Sequence, residues 1–333
     1  MSLVQPFVLF VFKKIENRKA RKVRKEKTLT TKDQKNTLAC FAVKILNIMK
    51  KEIILFVILG LLISCTGNDG TMDIPYLPKI VVEGRIENGG YASVLLSISA
   101  PITGTQDTIS LSQYAIRSAK ITVSNGDTSE VLYLRLNQSK IPPYEYIGRE
   151  IIGEVGKTYS LTVESRDNII TASTYIPEPV SLDDIWFRRR SESDTIGYIG
   201  VSFKNTSADF YQFSTSLYSH RESFIPCLYG NIDSRAYPQN EQLEINLNKG
   251  PSIYPENNFS TYYNASDTIR VKLSTQPKHA YDFWVSFQDE IINGKNPLYP
   301  AFSNLKSNIL GGIGIWSGYG TTQRVVILNE IEK

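Results

Sequence analysis

Apolar residues alternate with polar ones at period two over most of the chain beyond residue 79. Ile80, Val82, Gly84 and Ile86 interleave with Val81, Glu83 and Arg85. Val94, Leu96 and Ile98 alternate with Leu95 and Ser97, and Ile121 and Val123 repeat the spacing. Val131 to Leu134 follow, then Tyr159, Leu161 and Val163, then Ile170, Ala172, Thr174 and Ile176. Successive side chains of a strand point to opposite faces, so each set predicts a half-buried strand. Asn-Gly and Pro-Pro turns separate the runs, and short strands between tight turns predict a sandwich. Pro177-Glu178-Pro179 breaks the ladder, because proline donates no amide hydrogen, and predicts a domain boundary.

The second half is patterned alike. Ile185 to Phe187, Ile199 to Phe203, Tyr211 to Tyr218, Leu243 to Leu247 and Ile269 to Leu273 predict strands. Ile313 to Trp316 and Arg324 to Leu328 predict two closing strands. Tyr281, Trp284, Val285, Gln288, Ile291 and Ile292 instead fall at helical spacing, with Pro277 at the start and Asn293-Gly294 able to end the helix. The expected fold is mainly β. Residues 79–177 form an N-terminal sandwich, and residues 178–333 form a β-rich second domain carrying one helix. Within the first, Gly156-Lys157-Thr158-Tyr159-Ser160-Leu161-Thr162-Val163 resembles the strand entry of immunoglobulin-like and fibronectin-like domains, where a tyrosine hydroxyl ties down the corner.

Charge divides the chain more sharply than patterning does. Residues 1–64 hold 14 Lys and Arg against four acids, whereas residues 65–333 hold 23 against 29. The basic character therefore belongs to the leader. No nucleic-acid partner is expected, since a polyanion requires a concentrated basic surface. Met49-Lys50-Lys51 followed by apolar Ile53 to Leu62 fits a secretory signal, and ten apolar residues are too few to span a bilayer that needs about 20. Leu62-Ile63-Ser64-Cys65 resembles the lipobox of bacterial lipoproteins. That resemblance implies cleavage after residue 64 and diacylglycerol on the Cys65 sulfur. Residues 49–64 are read as the signal peptide and 65–78, rich in turn residues, as a tether. Residues 1–48 are read as an upstream extension from a mis-called start, with translation from Met49.

Candidate chemistry is sparse. His220 and His279 stand about 60 positions apart with no Cys or His at ligand spacing, so neither a metal nor a cofactor is expected. Cys227 lacks a partner for a disulfide and reads as a small buried residue. Asp183-Asp184 and Asp289-Glu290 read as solvated carboxylates, and Arg188-Arg189-Arg190 as a strand end or loop. Gly311-Gly312-Ile313-Gly314 reads as a tight turn or close backbone packing, because too little chain follows for a dinucleotide-binding unit. Asp107-Thr108-Ile109, Asp194-Thr195-Ile196 and Asp267-Thr268-Ile269 resemble the acceptor of general O-glycosylation in exported proteins of Bacteroidota, which points to Thr108, Thr195 and Thr268. The alternative is turn chemistry at Asp-Thr with a strand starting at Ile.

Three passages together resemble the domain-of-unknown-function 4249 lipoproteins of Bacteroidota. They are Cys65 followed by Ile80-Val81-Val82-Glu83-Gly84-Arg85-Ile86, then Ile170 to Pro177, and last Asn293 to Pro297 with Asn308 to Gly314. The resemblance implies a lipid anchor in the outer membrane and association with a TonB-dependent receptor. A non-enzymatic accessory that binds a ligand or partner is the expected role. A secreted cell-envelope hydrolase with an unrecognised carboxylate site is the alternative.

Overall fold

The chain's period-two stretches become strands that differ in how many faces they bury. The computed structural model describes residues 77–99, 112–206, 209–218, 224–250, 260–293 and 305–333. The leader, Cys65, Thr108 and His220 lie outside them. Eight strands precede Pro177: β1 (Ile80–Glu87), β2 (Tyr91–Ile98), β3 (Lys120–Ser124), β4 (Ser129–Val131), β5 (Tyr133–Leu136), β6 (Tyr144–Ile152), β7 (Thr158–Ser165) and β8 (Asn168–Tyr175). Then come β9 (Asp184–Arg189), β10 (Ile196–Lys204), β11 (Phe210–Leu217), β12 (Ile225–Asp233), β13 (Gln242–Leu247), β14 (Tyr263–Asn264) and β15 (Thr268–Gln276). Helix α1 (Lys278–Asn293) and β16 (Ile313–Ile327) complete the core elements. The fold is mainly β, with sheets stacked as sandwiches, as the alternation predicts.

One sheet of eight strands, ordered β12-β11-β15-β16-β1-β2-β6-β5, runs through both halves. Its continuity depends on β16. The first half of that strand pairs in parallel with β1, from Val81↔Ile313 to Glu87↔Tyr319. The second half pairs antiparallel with β15, from Thr275↔Gly320 to Thr268↔Ile327. The two closing strands expected at Ile313 and Arg324 are therefore one strand of 15 residues.

Two smaller sheets cover the inner face. The β4-β3-β7-β8 sheet closes a first core around Val82, Ile86, Leu96, Ile121, Tyr159, Ile170 and Trp316. The sheet containing β9, β10, β13 and β14 closes a second around Phe187, Val201, Phe203, Tyr211, Phe213 and Val271. The boundary expected at Pro177 falls between these cores. Residues 75–333 form one compact unit, in which β16 and its sheet belong to both sandwiches.

Local chemistry explains several strand irregularities. Glu130 is 6% exposed, and its carboxylate accepts hydrogen bonds from the amides of Arg149, Glu150 and Ile151. These satisfy backbone groups where the β2–β6 register shifts. The Tyr159 hydroxyl accepts from the Glu154 amide at 2.7 Å and donates to the Ile152 carbonyl at 3.4 Å. That is the corner tie expected of Tyr159; it is a local device and assigns no immunoglobulin topology by itself. At the glycine-rich run, Gly314 has φ +122° and passes the Val82 carbonyl so closely that a Cβ there would sit 1.9 Å from its oxygen. Only glycine fits, in keeping with the close packing read from the sequence.

Candidate functional site

The outer face of the eight-stranded sheet gathers several charged side chains where the two sandwiches join. In β1 the residues between the core positions are Glu83, Arg85 and Glu87. Across the sheet they meet Leu95 and Ser93 of β2 on one side, and Ile315, Ser317 and Tyr319 of β16 on the other. Lys272 and Ser274 of β15 and Gln212 and Ser214 of β11 share that face, opposite each other in the ladder. Where the two sandwiches join, these side chains floor a cleft of about 80 Å³.

Its walls come from three separate elements. Helix α1 lies on the outer face and packs Ala280 and Phe283 against Ile315 and Tyr319. Its Trp284 Nε1 donates to the Tyr319 hydroxyl at 2.9 Å. The predicted helix is present, but Ala280 and Phe283 are its buried positions, whereas Tyr281, Trp284, Val285 and Gln288 are only half-buried. Phe224, just before β12, forms a second wall, with the Lys272 ammonium 4.0 Å from its ring centre. The loop between β5 and β6 supplies Lys140. Asn137 shapes this loop by accepting from Ser139 and donating to Glu145 at 2.9 Å, and its carbonyl accepts from the Lys140 amide at 3.1 Å.

Charge pairing in and around the cleft is uneven. Lys272 is 7% exposed and donates to both oxygens of Glu87 at 2.9 Å. Glu145, 3% exposed, accepts from Ser93, Arg135 and Asn137. Burial pushes the Glu145 carboxyl up, but those hydrogen bonds outweigh it and hold the group below its ordinary value. The side chains of Arg85 and Lys140, by contrast, have no hydrogen-bonded or ion-paired partner among the described residues. Burial and the neighbouring Arg85 charge lower the Lys140 ammonium from its ordinary value. Burial likewise lowers Lys272 against the pull of Glu87. Burial raises the Tyr319 hydroxyl to about 12, which keeps it a neutral acceptor for Trp284.

A second cavity of about 240 Å³ opens at the end of the second sandwich, lined by Thr215, Lys249, Tyr262, Tyr263, Asn264 and Asp267. Its polar groups serve the fold. Thr215 and Tyr263 share a hydrogen bond at 3.0 Å, and Asp267 accepts from the Asn264 amide. Cys227 sits beside Tyr263 at 3.7 Å, and burial pushes its thiol up to about 11. That describes a protonated, unreactive thiol, matching the bland reading of this cysteine.

Other residues singled out in the sequence are dispersed. His279 meets Thr174 at 3.3 Å, and burial lowers its imidazole. No group of three or more His, Cys, Asp or Glu able to hold a metal occurs among the described residues. Asp184 pairs with Lys333, and Asp183 accepts from Gln242. Arg189 pairs with Glu332, and Arg190 with Asp194. Thr195 is exposed in the turn before β10, and Thr268 is the half-buried first residue of β15. The Ala265 amide, in the turn before β15, donates to the Thr195 carbonyl. Sequence reading missed Arg85, Lys140 and Lys272 as a group. Its one available signal was the Glu-Gly-Arg-Ile-Glu sequence inside β1, three charges on a single face of a central strand.

Among solved structures, bovine butyrophilin is similar at 6% identity and a TM-score of 0.18, with 61% of this chain and 93% of that chain covered. A likeness this weak supports no argument. No curated protein matches the chain. Residues 69–324, taking in every wall of the cleft, match the family described as "Domain of unknown function (DUF4249)", and the chain belongs to that family.

Proposed function

We propose that this chain is a lipid-anchored accessory protein of the outer membrane that binds a ligand or partner on the outer face of its eight-stranded sheet, in support of TonB-dependent uptake. The observation that carries a binding role is the cleft at the junction of the sandwiches, where Arg85 and Lys140 stand together without an ion pair among the described residues, the Glu83 and Glu145 charges favouring the Lys140 ammonium without pairing with it. Unpaired charge in a partly enclosed site is unfavourable to the folded chain alone. A ligand that neutralises it removes that disadvantage. The anchor rests on the lipobox at Cys65, and the link to a TonB-dependent receptor rests on family association.

Carboxylates suited to hydrolysis are poorly placed beside it. The cleft is lined by Glu83 and Glu87, and Glu87 is held by Lys272. A non-enzymatic role is therefore preferred to the hydrolase alternative. Affinity capture from native outer membranes tests the proposal. A transporter or another envelope protein is expected with the wild-type chain, and less of it with Lys140→Glu. Equal capture by that variant sinks the role given to the cleft, and capture of no envelope protein with no bound ligand sinks the accessory role altogether.

A further inference from the structure

The charges around the cleft differ in whether the fold already uses them. Lys272 and Glu87 bind one another, and Glu145 is occupied by Ser93, Arg135 and Asn137. Three charged side chains remain without a hydrogen bond or ion pair among the described residues: Arg85 and Lys140 in the cleft, and Glu83, exposed at its rim. Two cations against one acid leave a single positive charge over. Each cation also works against the other, since the Arg85 charge opposes protonation of Lys140.

Size and lining narrow the occupant further. About 80 Å³ is well below the roughly 300–1,000 Å³ of a cleft that encloses a whole drug-sized ligand. Only an end group or a small molecule enters. Beside the two cations the lining is apolar, formed by Trp284, which is half-buried, and by the edges of Leu95 and Ile315, which are buried. A guanidinium fork and an ammonium suit a planar oxyanion. With Glu83 at the rim, a dianion such as phosphate meets more repulsion than a monoanion does. We infer that the cleft holds the carboxylate of a small monoanionic ligand between Arg85 and Lys140, with the attached hydrocarbon against Leu95, Ile315 and Trp284. This inference rests on the cleft being the binding surface.

Calorimetric titration of the full chain, purified in detergent, with acetate, butyrate, benzoate and inorganic phosphate tests it. Saturable binding of butyrate or benzoate is expected, tighter than acetate or phosphate. Arg85→Gln and Lys140→Gln should each weaken it about tenfold, the scale of one hydrogen bond between charged groups. Glu83→Gln should tighten it. Both cationic positions are half-buried and unpaired among the described residues, so the variants should fold, and a cooperative melting transition no lower than that of wild type establishes that they have. The inference is overturned if no carboxylate binds saturably, if phosphate binds more tightly than every carboxylate, or if neither cationic variant shifts the affinity. Capture of an envelope partner through the cleft without carboxylate binding rejects this inference and leaves the binding role standing.

Discussion

The two faces of the eight-stranded sheet are built from alternate residues of the same strands, yet they solve opposite problems. On the inner face Val82 and Ile86 are fully buried, and Gly84 makes room for the Trp316 ring, which a Cβ there would approach to 2.7 Å. On the outer face, one residue away in each case, stand Glu83, Arg85 and Glu87. Hydrophobic burial is non-directional and tolerates imperfect partners, whereas a buried charge requires a specific one. The inner face is therefore complete within the chain. The outer face is complete only at Lys272 and Glu145, and it leaves Arg85 and Lys140 for something else.

The largest expected effect lies on the inner face. Trp316 is fully buried, and its Nε1 donates to the Tyr159 carbonyl at 3.0 Å. It also belongs to the strand that joins the two sandwiches. Trp316→Ala should destabilise the chain by about 3–5 kcal/mol, the usual range for emptying such a site. Because β16 is shared, both sandwiches should melt together at the lower temperature. Calorimetry showing two separate transitions would mean that they are independent domains after all.

A smaller effect is expected from the paired charges outside. Glu87→Gln keeps the shape but removes the charge that compensates Lys272, 7% exposed. A loss of about 1–3 kcal/mol is expected, below the full value for a deeply buried pair because Glu87 itself is partly solvated. Chemical denaturation measures it. A loss as large as that of Trp316→Ala would place the outer face on the same footing as the core. No loss at all would mean that Lys272 finds another acceptor.

Alternation made the inner face legible in the sequence. Every core position of β1, β7 and β8 shows the period-two signal, and the Tyr159 corner could be read from its spacing alone. Strands β6 and β12 were not legible. Glu145, Arg149 and Glu150 interrupt β6, and their roles depend on partners far along the chain: Ser93 for Glu145, and the Glu130 carboxylate for the amides beside Arg149. Strand β12 bends at its register shift opposite Gln212 and Ser214, which disrupts its pattern. The continuity of β16 was hidden for a related reason. Ser317 to Gln323 is glycine- and threonine-rich and looks like a connection, but it is buried between α1 and the core through Gly320. The cleft was least legible of all, since Arg85, Lys140, Phe224, Lys272 and Trp284 meet only through tertiary folding.

The subtlest difference between the faces should appear on titration. Lys140 has its ammonium lowered, first by burial and then by Arg85. Its folded state thus holds the proton less firmly than its unfolded state does. Between the lowered folded value and the ordinary 10.5, the unfolded chain binds more protons, so stability rises with pH across that window. Below the window both states are charged, and the full penalty of holding Lys140 beside Arg85 is present. Lys140→Gln removes that penalty at every pH. The variant should therefore be slightly more stable than wild type at neutral pH, and its advantage should shrink as pH climbs toward 10.5. Melting temperatures of the two proteins across this range provide the measurement. A constant difference, or one that widens with pH, would show that the Lys140 charge is already satisfied within the fold. The outer face would then be as complete as the inner one, and the case for a bound anion would lose its physical basis.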